Sequence, residues 1–75
     1  MAYWIKRILL KSGELVTEHE LRRDENYHEG VPPVVGDVIG VHCRGNYFQA
    51  KVIWGNWPGK DVSTDMLVPL RVEEV

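Results

Sequence analysis

The stretch from Val34 to Trp54, VVGDVIGVHCRGNYFQAKVIW, restricts the fold of this chain more than any other part of it. Two runs flank Arg44-Gly45-Asn46, and each places apolar residues on alternate positions. In the first, Ile39, Val41 and Cys43 point one way and Val38, Gly40 and His42 the other. In the second, Phe48, Ala50, Val52 and Trp54 share a face opposite Tyr47, Gln49, Lys51 and Ile53. A side-chain period of two is that of a strand half-buried in a sheet, and a glycine turn between two such runs marks a hairpin. The pattern predicts that Ile39, Val41, Phe48, Ala50 and Val52 meet in a shared interior, with Trp54 ending that inward series and Tyr47 facing out.

The rest of the chain reads as β structure around this hairpin. Ala2 to Lys11 is rich in β-branched and aromatic residues and stops at Ser12-Gly13, a two-residue turn signal. A hairpin across that turn pairs Leu10 with Leu15 and Leu9 with Val16, and carries Arg7 opposite Glu18. One face then holds Trp4, Ile8, Leu10, Leu15 and Leu21; the other holds Tyr3, Ile5, Leu9 and Val16. Both faces of the first strand are apolar, so it is either central in a curved sheet or covered by a second subunit. Residues 14–26 admit two readings, strand or helix; β-branched Val16 and Thr17 favour the strand, and a Glu18–Arg22 spacing favours the helix. Arg22 to Val35 is a polar loop broken by Gly30 and Pro32-Pro33. Ser63-Thr64-Asp65 suits the start of one helical turn near residues 63–67. Met66 to Val75 reads as a last strand, and Pro69 inside it predicts an edge position. The sum is a single all-β domain over 1–75, a five-stranded barrel of SH3 type.

Composition limits what such a domain can be. A chain of 75 residues has a marginal core, and chains of this size often add disulfides, a metal or a partner subunit. A single cysteine, Cys43, precludes an internal disulfide. The net charge of −2 gives little steering toward nucleic acid. No apolar run reaches the roughly 18 residues of a membrane span. The N-terminal MAYWIKRILLK carries charges within its apolar run and has no small-residue cleavage site, which argues against a signal peptide and for the cytoplasm.

The segment Gly36-Asp37-Val38-Ile39-Gly40-Val41, followed by Gly45-Asn46-Tyr47-Phe48-Gln49-Ala50-Lys51-Val52, resembles Tudor-like and related small SH3-like barrels. Those carry a Gly-Asp pair, an alternating strand, a glycine turn, then aromatic-aromatic-x-Ala-x-Val. The resemblance implies the barrel fold, and it places Tyr47 at the position of a cage aromatic for methylated side chains. Gly36-Asp37, Gly45 and the run to Trp54 are also similar to the type II dihydrofolate reductases, tetramers of such barrels. The Val-Gln-Ile-Tyr motif lining that family's pore is absent here, so no activity is implied.

No residue pattern points to a reaction. His42 and Cys43 are neighbours on a strand and face opposite sides, so they form no thiol–imidazole pair. His19, His28 and His42 lack metal-ligand spacing, and no phosphate loop or nucleophile elbow occurs. No catalytic, cofactor or metal role is assigned, and a non-enzymatic module is expected. The candidate partner-binding residues are Trp57, Tyr47, Tyr27, Arg44 and Lys51, because surface aromatics beside cations make binding anchors. Trp57, in Gly55-Asn56-Trp57-Pro58-Gly59, is either such an anchor or a plug for one barrel end. Tyr3, Ile5, Leu9 and Val16 are the candidates for self-association into a homo-oligomer. The expected partner is a protein segment or a second copy. Nucleic acid, through stacking on the same aromatics with Arg44 and Lys51, is the alternative. A small oligomeric enzyme with its site on a symmetry axis is a further one.

Overall fold

The computed structural model describes residues 2–22, 24–56 and 67–75. Among them there is no helix, and the chain is all-β: β1 (Ala2–Leu9), β2 (Leu15–Val16), β3 (Tyr27–Glu29), β4 (Val38–Cys43), β5 (Asn46–Gly55) and β6 (Leu67–Glu74). Among the described residues there are thus six strands rather than five. They form one mixed sheet in the order β2-β1-β6-β5-β4, with β3 pairing with β1 beyond β2. No ladder joins β4 back to β2 or β3, so the sheet is not a closed barrel.

The central hairpin forms as its alternation predicts. Ile39 pairs with Ala50, Val41 with Phe48 and Cys43 with Asn46. The turn puts Arg44 at φ 53° and Gly45 at φ 78°. Two positive φ values in a two-residue loop match the right-handed twist of the strands it joins. Val41, Cys43, Ala50 and Val52 are buried, with Ile39 and Phe48 packed against them.

The first strand is central, as one of its two sequence readings required. It lies parallel to β6 on one side and antiparallel to β2 and β3 on the other. Its alternation breaks, however. The register against β6 shifts between Ile5 and Arg7, which makes Lys6 an extra residue and turns both Ile5 and Ile8 inward. Ile5 and Val16 are each 1% exposed in the core, so the face expected to hold Tyr3, Ile5, Leu9 and Val16 for self-association is not a surface. Tyr3 and Leu9 are half-buried.

The first turn is one residue longer than predicted. Leu10 N–H donates to the Glu14 carbonyl and Gly13 N–H to the Leu10 carbonyl, both at 2.9 Å, with Gly13 at φ 92°. The loop is Lys11-Ser12-Gly13, so Leu15 faces Leu9 and Val16 faces Ile8. A one-residue slip exchanges the faces of a strand, and Leu15 is accordingly exposed. Arg7 still reaches Glu18, 3.5 Å away. Beyond Val16 neither predicted form continues: Thr17 accepts from the N–H groups of Glu20 and Leu21 in a turn.

The last strand is not at an edge. β6 lies between β1 and β5 and buries Val68, Leu70 and Val72. Pro69 is tolerated because its ladder with β5 stops at Leu70; the Pro69 carbonyl accepts from Asn56 N–H at 3.2 Å, and its missing donor faces the end of β5. Most of the helical turn expected near residues 63–67 falls outside the described residues, and Leu67 opens β6.

Candidate functional site: the outer face of β4, β5 and β6

Burial of Val41, Ala50, Val52, Leu70 and Val72 turns their alternate neighbours outward. Tyr47 is 62% exposed. Its ring lies over Gly40, where an added Cβ would collide with the phenol oxygen and ring. It also packs against the His42 ring, centroids 4.9 Å apart. A glycine within a strand weakens it and signals close approach from outside; here the approaching group is Tyr47. Val38 and Lys51, which pair across β4 and β5, follow on the same face.

Trp54 does not end an inward series. The register of β5 against β6 shifts between Val52 and Trp54, setting Trp54 opposite outward-facing Arg71. The Arg71 guanidinium carbon sits 4.4 Å from the centre of the Trp54 ring, a cation–π contact. Ile53 is the extra residue and is 41% exposed. Tyr47 and Trp54 thus mark the ends of a strip that eight strand residues, one of them in the bulge, make about 20 Å long.

Of the other sequence candidates, Arg44 is already occupied. Its Nη1 donates to Glu14 at 2.8 Å, its Nη2 to Glu20 at 3.0 Å, and its Nε also to Glu20. These hydrogen bonds hold both carboxyls below the usual range and raise the guanidinium further. A cation so paired has little left for phosphate. Tyr27 is exposed on β3, opposite Trp4; among the described residues, the ring that meets Tyr47 is that of His42. Trp57 lies outside the described residues.

Cys43 is buried, and burial pushes its thiol up, while His42 is exposed on the opposite side of the strand. Beside them, a depression of about 450 Å³ is lined by Glu20, Arg22, Glu25 and Arg44 among others. Arg44 and Glu20 already bind each other there. Among the described residues no three His, Cys, Asp or Glu gather as a metal site.

Sequence reasoning missed Trp54, Arg71 and Asn26. The first two were hidden by the bulge at Ile53, which leaves no mark in the alternation. Gly40 was the available sign of the Tyr47 contact. No family model, curated protein or solved structure matches the chain.

Proposed function

We propose that this chain is a non-enzymatic interaction module that binds a protein segment along the outer face of β4, β5 and β6. The observation that carries the reading is Tyr47, a large aromatic kept exposed on top of a glycine, in line with Val38, Ile53 and Trp54. Exposed aromatics and an arginine on a rigid sheet supply contact area with little ordering cost, and they are typical binding anchors. The strip's length suits about seven residues of extended chain. With Arg44 paired to two glutamates, Lys51 and Arg71 are the cations of this face among the described residues, which favours a protein partner over nucleic acid.

The test is site-specific photo-crosslinking in the native host, with the photoreactive residue at Tyr47 or, as control, at Glu25 away from this face. One protein captured from position 47 and not from position 25 is then purified. Its affinity for Tyr47→Ala and Trp54→Ala should fall at least tenfold with the folded state unchanged. Unaltered affinity in both variants would sink the reading.

A further inference from the structure

β4 is the last strand of the sheet. In an antiparallel pair, residues alternate between those bonded to the neighbour and those turned away from it. Two observations fix which are which. The Gly36 N–H donates to the Val52 carbonyl at 2.9 Å and the Asp37 carbonyl accepts from Val52 N–H at 2.8 Å; steps of two then direct Ile39, Val41 and Cys43 toward β5. His42, of the opposite parity, has its N–H and C=O bonded to the Asn26 side chain instead. Val38 and Gly40 share the parity of His42, so their main-chain groups point away from β5. Among the described residues nothing bonds those groups. The edge is therefore a slot two residues wide, closed at one end by Asn26 and at the other by the bulge at Gly36, φ 99°. Unpaired edges of this kind are templates for another strand.

We propose that this slot takes the β4 edge of a second copy, antiparallel, about a two-fold axis beside Ile39. Val38 of each copy then faces Gly40 of the other. Each slot offers two N–H donors and two carbonyl acceptors, and the two-fold matches them all. The slot's ends select this occupant. In this register, His42 faces Gly36 of the second copy, where that chain leaves the ladder through its bulge and the Val34–Asp37 turn. Pairing stops where Asn26 blocks the slot, whereas a longer uninterrupted strand would run into Asn26. Val38, more than half exposed, stands at this edge, and such a dimer covers it. Each Val38 also meets the Tyr47 ring over the opposing Gly40.

The experiment is sedimentation of the full chain from micromolar to millimolar concentration, with amide hydrogen exchange at both extremes. The expected result is a reversible dimer in which the Val38 and Gly40 amides become protected as concentration rises. Val38→Pro, which removes an outward N–H, and Val38→Lys, which keeps the backbone, should each weaken association at least tenfold while the β spectrum persists. A monomer at every concentration overturns the proposal. So does a dimer whose Val38 and Gly40 amides exchange as fast as in dilute protein. If Tyr47→Ala abolishes that second kind of dimer, the outer face is the contact, and the reading given under Proposed function stands without this one.

Discussion

The side-chain amide of Asn26 serves His42 as a neighbouring strand would: its Oδ1 accepts from the His42 N–H at 3.2 Å and its Nδ2 donates to the His42 carbonyl at 3.0 Å. The main-chain carbonyl of Asn26 meanwhile accepts from Ile5 N–H on β1 at 3.0 Å. One residue, 1% exposed, thus ties β1 to the edge strand β4. Asn26→Ala strands both His42 groups and should cost about 2–3 kcal/mol, read as a lower urea midpoint with faster exchange of the His42 amide. A midpoint within error of wild type would mean that the latch holds nothing.

Gly40→Ala should move Tyr47 rather than unfold the chain. The added methyl meets the far end of an exposed side chain, which can swing away. The loss of strand-weakening glycine offsets part of the cost, so the stability change should stay within about 1 kcal/mol. The ring contact between Tyr47 and His42 should be lost, seen as a change in the His42 ring proton shifts. Unchanged shifts would contradict the packing described.

The bulge at Lys6 makes Ile5 and Ile8 core residues three apart. Ile5→Val and Ile8→Val should each cost about 0.5–1.5 kcal/mol, while Lys6→Ala should lie within about 0.5 kcal/mol of wild type. Chemical denaturation measures all three. A neutral Ile5→Val with a costly Lys6→Ala would restore strict alternation and remove the bulge.

Arg44 should shape the acid limb of stability. Glu14 and Glu20 are held below their ordinary value of 4.5, first by hydrogen bonds from Arg44. A carboxyl depressed in the folded state contributes stability that is present above the unfolded value and is lost as pH falls through the folded one. Arg44→Asn keeps a residue that tolerates positive φ and removes both pairings. Its melting temperature should fall less steeply than wild type below about pH 4.5, and the difference should shrink in high salt. Parallel curves at low salt would contradict the assignment.

What could be read in advance was what side-chain period encodes. The β4–β5 hairpin and its five inward residues follow from alternation alone, and so does the outward Tyr47. Three features escaped because they interrupt that period without a residue type that announces them. The extra residues at Lys6 and Ile53 moved Ile5 inward and Trp54 outward. The longer first turn reversed Leu15 and Val16, since Gly13 suits a two-residue or a three-residue loop equally well. Pro69 suggested an edge because a proline lacks a donor; which side that donor would have faced is a matter of topology. Asn26 sat in a polar loop like any other asparagine, and its role depends on a strand sixteen residues away.

The account rests on β4 as the edge strand, with its apolar side inward and its outer edge held, among the described residues, by Asn26. Amide exchange along β4 in dilute protein tests this directly. Ile39, Val41 and Cys43 should be protected by β5 and His42 by Asn26, while Val38 and Gly40 exchange at rates close to those of open chain. Slow exchange at Val38 and Gly40 in the dilute monomer would show another strand on that edge, and the open sheet described here would be wrong.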